Sequence, residues 1–267
     1  MSKLCFRNIH KVVILAGGFG TRISEESQYK PKPMIEIGGI PIILHIMRYY
    51  ARYGFKDFIV CAGYKQEKIK EYFNNFFLYN SKQITFSKDE VRLDQSDEYD
   101  DWNVTVVDTG VGTLTGGRLK QVKDLIPDSE KFLMTYGDGL SDVDIGKLIQ
   151  FDERNQDALV TITGILPESR YGVLDIGKDG KVSSFREKSA ADSKDWINGG
   201  FMVIDKKALD YIDGDEMFEN APLQKIASDG KLYCYKHYGK WQCMDTLRDK
   251  EKLEQEWANR PFWRNNG

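Results

Sequence analysis

The stretch KVVILA (11–16) runs apolar from Val12 to Ala16 without a polar residue. Successive side chains of a strand point to opposite sides of a sheet, so a strand of this composition must be covered on both faces. DFIVCAGY (57–64) and KFLMTYGD (131–138) make the same demand. Between these runs lie helix-length stretches. IPIILHIMRYYARYG (40–54) has Pro41 suited to a first helical position and Gly54 suited to a C-terminal cap. KQEKIKEYFNNFF (65–77), GGRLKQVKDLI (116–126) and DVDIGKLIQFDERN (142–155) also read as helices. Strands and helices in series predict an α/β fold, doubly wound around a mixed, mostly parallel sheet. From ALVTITG (158–164) onward the chain is richer in strands: GVLDIG, KVSSFREK, GGFMVID and KLYCYKHY, followed by a terminal helix from Thr246. One stretch breaks the pattern. KDEVRLDQSDEYDD (88–101), with seven acidic and two basic residues between two strand-like segments, reads as a solvated hairpin or loop.

A chain of 267 residues fits one large α/β domain, or one with a small appendage. A net charge of −3 argues against nucleic acid as a partner. The four cysteines include no CxxC pair, a reduced intracellular pattern, and the three histidines are too scattered for a zinc motif. No apolar run reaches the ~18 residues of a membrane helix, and the five apolar residues of VVILA are too few for a secretory segment. The expectation is a cytoplasmic protein with no membrane partner.

The first apolar run ends in LAGGFGTR (15–22). Three glycines in four positions allow backbone N–H groups to face an anion, and Arg22 just beyond is a natural phosphate partner; the same loop reads equally as a plain turn. A dinucleotide fingerprint beginning at Gly18 and Gly20 needs glycine where Ile23 stands, and no P-loop Lys-Ser/Thr pair follows a glycine. Ten residues after Arg22, Lys32 lies between Pro31 and Pro33, which hold the neighbouring backbone extended. With Arg22 it would present two cations to a polyphosphate; taken alone it is a surface lysine in a proline turn. In a doubly wound sheet the ligand belongs beyond the carboxyl ends of the strands, where GGFGTR lies.

LAGGFGTR and KPKPM, with YGDG (136–139), YGVLD (171–175), FREK (185–188) and NGGF (198–201) in that order, resemble the sugar-1-phosphate nucleotidylyltransferases. That family has a Rossmann-like fold and joins a nucleoside triphosphate to a sugar 1-phosphate. VDTG, TGGRLK, FLMTYGDG, INGGF and WQCMDTLRDK are similar to its glucose-1-phosphate cytidylyltransferase branch. The match spans roughly residues 11–262.

The resemblance implies that Leu15, Ala16, Gly17, Gly18, Gly20, Thr21, Arg22 and Lys32 surround the nucleotide, with Arg22 and Lys32 catalytic. It implies that Thr113 and Arg118 contact the pyrimidine and that Gly137 packs against the nucleoside. Tyr171, Gly172, Glu187, Lys188 and Asn198 would bind the sugar phosphate, and Asp138 and Asp245 would hold Mg²⁺. Without the resemblance, Asp245 reads as the N-cap of the last helix, Glu187 and Lys188 as a surface pair, and Tyr171 as core. The implied reaction takes CTP and α-D-glucose 1-phosphate to CDP-glucose and pyrophosphate, in nucleotide-sugar supply for cell-surface polysaccharide. UTP or dTTP, another sugar 1-phosphate, or a silent nucleotide-sugar sensor remain alternatives.

One domain over 1–267 is expected, with a nucleotide-binding part at about 11–155 and a strand-rich, sugar-binding and C-terminal part at about 156–262. A homo-oligomer is implied too, with EYFNNFFLYN (71–80) as either apolar surface or core. Two positions depart from the family pattern: Ser189 and Cys243 stand where proline is usual.

Overall fold

The computed structural model describes residues 9–94, 99, 101–128, 130–167, 172–176, 182–187 and 195–264. Its centre is a seven-stranded sheet. In chain order the strands are β1 (Ile9–Ala16), β2 (Asp57–Ala62), β3 (Asn103–Asp108), β4 (Lys131–Tyr136), β5 (Val160–Ile165), β6 (Ile197–Asp205) and β7 (Leu232–His237). Across the sheet they lie β7-β5-β6-β4-β1-β2-β3. The pairs β1–β4, β1–β2, β2–β3 and β5–β7 are parallel. Only β6 runs against both of its neighbours, β4 and β5. The sheet is therefore mixed and mostly parallel, as the alternation predicts.

The periodicity of β1 explains its central place. Val12, Ile14 and Ala16 join one core cluster, while Val13 and Leu15 join another on the opposite face. Full burial of each such aliphatic side chain is worth about 1.5–3 kcal/mol, so β1 gains most where both faces are covered. On the first face lie α1 (Ile42–Ala51), α4 (Ile145–Arg154) and α6 (Leu247–Asn259), through Ile42, Ile43, Ile46, Leu148, Ile149 and Leu253. On the second lie α3 (Thr115–Gln121) and α5 (Ala221–Ser228), through Leu119, Leu223 and Ile226. The helix α2 (Gln66–Asn74) adds Ile69 to the first cluster.

Several boundaries differ from the sequence expectation. Pro41 is not inside α1: it precedes the first turn and pairs with Glu36 in a short ribbon, so the helix opens at Ile42. The expected helix 65–77 stops at Asn74, and a second short helix, Phe76–Asn80, follows across Asn75. The bend splits the aromatic stretch: Phe76 is buried, whereas Phe77, Leu78 and Tyr79 are exposed. The acidic segment includes a hairpin, with Gln83–Phe86 paired to Val91–Asp94. It also contributes Tyr99, buried against Phe76 and Trp102.

A candidate nucleotide-binding active site

A cleft of about 360 Å³ opens at the carboxyl ends of β1 and β4. Every residue assigned to the nucleotide from sequence, from Leu15 through Arg22 and on to Lys32, Thr113, Arg118 and Gly137, lines it. Asp138 lines it too. The loop after β1 turns at Gly20, whose φ of 65° is a left-handed conformation favouring glycine. Its carbonyl accepts from the Ile23 N–H (3.0 Å) and the Ser27 hydroxyl (2.9 Å), closing a tight 3-10 turn over Thr21–Ile23 rather than opening a long helix.

Lys32 stands on a second 3-10 turn, Lys32–Met34, begun by Pro31 and anchored by buried Pro33 and Met34. The Met34 N–H donates to the Pro31 carbonyl (2.8 Å), so the base of the lysine is fixed by a 3-10 turn; Pro31 is extended as expected, but Lys32 and Pro33 are not. Its ammonium donates to Asp138 Oδ2 and to Asp245 Oδ1, each at 2.6 Å. The exposed Arg22 guanidinium donates to the other oxygen of Asp245 at 2.8 Å. Two cations and two carboxylates, drawn from both ends of the chain, meet at one end of the cleft.

Backbone geometry brings the carboxylates together. Gly139–Ser141 pairs with Trp241–Cys243, and the Met244 N–H donates to the Asp138 carbonyl (2.9 Å). On the far side of Asp245 the chain enters α6. There the N-cap is Thr246, not Asp245: Thr246 and Asp249 form a reciprocal capping box. The reading of Asp245 as the cap is thus corrected. With the cap supplied next door, its carboxylate is left to Lys32 and Arg22.

The charges act on one another. Burial would lower the Lys32 pKa, but the Asp138 charge and hydrogen bonds to both carboxylates outweigh it and leave it raised. Burial would raise Asp245, yet the Lys32 hydrogen bond and charge, with Arg22, bring it below the usual carboxylate range. Cys243, with its thiol 3.6 Å from Asp245 Oδ2, is pushed up to about 12 by burial and by the Asp245 and Asp138 charges, so it is a neutral thiol. A lysine ammonium already lies between the two carboxylates, and their oxygens are the hard donors that a divalent cation of the Mg²⁺ type prefers. The pair fits such an ion.

At the other end of the cleft Arg118 is buried. Its guanidinium donates to the carbonyls of Gly17 (3.1 Å), Ala62 (3.1 Å) and Gly110 (2.9 Å), and to the Thr109 hydroxyl (2.6 Å). It therefore gathers the ends of β1, β2 and β3 while forming part of the cleft wall. A Cβ on Gly17 would lie 2.1 Å from this guanidinium, so the close approach requires glycine. Exposed Phe19, Val111, Leu114 and Met217 give the mouth of the cleft an apolar lining.

Of the residues assigned to the sugar, Gly172 and Glu187 face one another in an antiparallel hairpin. Tyr171 and Lys188 lie outside the described residues, as does Ser189. Asn198 is the second residue of β6, and its Oδ1 accepts from the Gly200 N–H at 2.9 Å. Tyr136, Thr115 and Glu219 were not singled out from sequence. Glu219 accepts from both the Tyr136 hydroxyl and the Thr115 hydroxyl, the latter at 2.5 Å. No local spacing announces that contact, since its partners come from three separate elements.

The sequence profile described as Nucleotidyl transferase matches residues 11–249. Glucose-1-phosphate cytidylyltransferase of Salmonella typhimurium is 50% identical over 249 residues, covering 92% of this chain and 95% of its own. A probable glucose-1-phosphate cytidylyltransferase of Bacillus subtilis is 44% identical over 250 residues, 92% of this chain and 96% of its own. Among solved structures, HddC from Yersinia pseudotuberculosis superposes with a TM-score of 0.67 at 27% identity, over 93% of this chain and 99% of that one. With a glycine-lined cleft at the strand ends and a profile match across nearly the whole sheet, the chain belongs to the nucleotidyl transferase family.

Proposed function

We propose that the protein transfers a cytidylyl group from CTP to α-D-glucose 1-phosphate, giving CDP-glucose and pyrophosphate. The observation that carries the chemistry is the convergence of Lys32 and Arg22 with Asp138 and Asp245 at one end of the cleft. The names of relatives 50% and 44% identical over nearly their whole length support the choice of base and sugar. In the reaction a phosphate oxygen of the sugar bonds to the α-phosphorus, and the bond from that phosphorus to the departing pyrophosphate breaks. Positioning and charge neutralisation are what a protein supplies to such a transfer.

The glycine loop, Thr21 and Arg22 hold the triphosphate. Asp138 and Asp245 would hold Mg²⁺, which when bound neutralises phosphate charge. Lys32, relieved of its two carboxylates, turns its ammonium to the α-phosphate. Arg118 and Thr113 border the base, and the apolar mouth accepts its flat face. Asn198, Gly172 and Glu187, with Tyr171 and Lys188, belong to the sugar-phosphate side. The same reading takes the enzyme to be a cytoplasmic homo-oligomer of one domain, divided near residue 155 into nucleotide and sugar parts. Among the described residues no helix is long and apolar enough to cross a membrane.

The test is pyrophosphate release with glucose 1-phosphate and varied nucleotide. CTP should give the highest kcat/KM, with UTP and then dTTP behind, and EDTA should abolish turnover until Mg²⁺ is restored. UTP or dTTP equal to CTP would overturn the cytidylyl assignment and leave nucleotidyl transfer standing. Absence of pyrophosphate with every nucleotide would favour a sensor.

A further inference from the structure

One peptide unit beside the cleft is held at both ends by side chains. It lies in an irregular part of β6: between the Ile162–Met202 and Gly164–Asn198 pairs, Gly199, Gly200 and Phe201 stand opposite Thr163. Bulges of this kind bend a strand and re-aim its side chains, and they gather next to active sites. Gly200 has a φ of 83°, a left-handed conformation favouring glycine, and a Cβ there would lie 2.6 Å from the ring of Tyr136, which lines the cleft. A Cβ on Gly199 would lie 2.9 Å from the Ile165 side chain and 3.1 Å from the Thr163 carbonyl oxygen. The bulge is thus pressed between β5 and the cleft wall.

The peptide joining Gly199 to Gly200 has one acceptor and one donor. Its carbonyl accepts from the Trp241 indole N–H at 2.8 Å, and its N–H donates to Asn198 Oδ1 at 2.9 Å. Glycine on both sides offers little resistance to rotation of this peptide, so the two bonds decide its orientation. With Oδ1 turned to the backbone, the Asn198 amide nitrogen, with two hydrogens to donate, is the end that points away from the peptide. Trp241 has a second seat at the same time. It pairs with Ser141 in the ribbon of Gly139–Ser141 and Trp241–Cys243, which runs beside Asp138 and Asp245. One indole therefore links the strand that carries Asn198 to the ribbon that sets the two carboxylates.

We propose that Trp241 is a positioning residue for the sugar phosphate: its indole N–H fixes the Gly199–Gly200 peptide, and that peptide sets the direction in which Asn198 presents its amide. The inference rests on the reading of Asn198 as a sugar contact. Trp241 itself touches neither substrate. Without its N–H the peptide is free to turn, the Gly200 N–H leaves Oδ1, and the amide loses its aim.

The test compares wild type, W241F, N198A and the double variant with an enzyme carrying β-(3-benzothienyl)alanine at position 241. The benzothienyl ring keeps the shape of the indole but has sulfur in place of the N–H, so it remains informative where phenylalanine loosens the packing. Steady-state kinetics with both substrates and Mg²⁺ varied are read beside Tm. Both changes at Trp241 should raise KM for glucose 1-phosphate about tenfold, the worth of one good hydrogen bond, with KM for CTP changed less than twofold. The Mg²⁺ concentration giving half the maximal rate should stay as in wild type. In the N198A background W241F should add little, because the group it positions is gone. If N198A raises the sugar-phosphate KM but neither change at Trp241 does, the positioning role is refuted while the sugar assignment stands. If N198A leaves that KM unchanged, the sugar assignment of Asn198 fails, and the inference fails with it. Equal weakening of CTP and sugar phosphate by the benzothienyl variant, or a shift in its Mg²⁺ requirement alone, would make Trp241 a brace of the ribbon and overturn the proposal. A wild type without turnover on any nucleotide would remove the proposed function, and this inference with it.

Discussion

Lys32 is paired with two carboxylates before any substrate arrives. Its charge is therefore spent on the protein in the free chain; in the proposed reaction it would turn to phosphate once the carboxylates take another cation. Replacing it with methionine should lower kcat and kcat/KM together by about 10²-fold or more, because a charge aimed at the reacting phosphate acts mainly in the transition state. Steady-state kinetics with both substrates varied provides the check; a raised KM at normal kcat would make Lys32 a binding residue only. On the proposed function, the neighbouring Asp245 and Thr246 would divide function from stability. D245N should cut turnover severely with little change in Tm, whereas T246A should keep turnover and cost about 1 kcal/mol of stability through the lost cap. Urea melts and initial rates on the two variants separate the roles. The register of the cap was in the sequence: Thr246 is followed three residues later by an acidic residue, Asp249. Asp and Thr both cap well, so composition alone did not choose between positions 245 and 246.

At the level of elements, the cleft exists because three strand ends are drawn together around Arg118. Two glycines there test different things. An alanine at Gly17 meets the Arg118 guanidinium, which must swing away from the carbonyls it holds; G17A should lose about 1–3 kcal/mol and raise KM for the nucleotide about tenfold. An alanine at Gly63 meets the Gly110 and Gly17 carbonyl oxygens at 2.7 and 2.8 Å, which belong to backbone and cannot swing aside. G63A should lose about 1–3 kcal/mol, measured by urea unfolding. The strands themselves were legible, because runs such as Val12–Ala16 leave no other way to cover both faces. Helix ends were less so. Pro41 fits a first helical turn by propensity, yet it pairs with Glu36. The break at Asn75 is set by packing of Phe76 on Tyr99 and Trp102, partners distant in sequence.

Across the whole molecule, the last residues close over the first helix. His45 of α1 lies edge-on to Trp257 and Trp263, accepts from the Trp263 indole N–H (3.3 Å) and bonds the Ile37 carbonyl (2.9 Å). An imidazole accepting at one nitrogen and donating at the other is neutral, and burial, against the Ile37 bond and with nearby Arg48, lowers its pKa to about 4. The unfolded chain takes up this proton below about pH 6.5, whereas the folded chain resists it. The contribution is complete above pH 6.5 and is lost as pH falls toward 4, about 3 kcal/mol in all. Urea midpoints at pH 7 and pH 5 should differ more for wild type than for H45Q, which cannot titrate there; equal slopes would mean His45 is not the sensor. Nothing near His45 in sequence signals this role, since both tryptophans lie at the far end of the chain. The antiparallel strand β6 has a consequence of another kind. It fills the gap between β4 and β5, yet it is made after both. A chain emerging from the ribosome thus holds two apolar strands whose facing edges have no partner until β6 arrives to be inserted between them. Unpaired edges of that kind recruit other chains, so this interval of synthesis is where the protein is most exposed to aggregation and most in need of a chaperone.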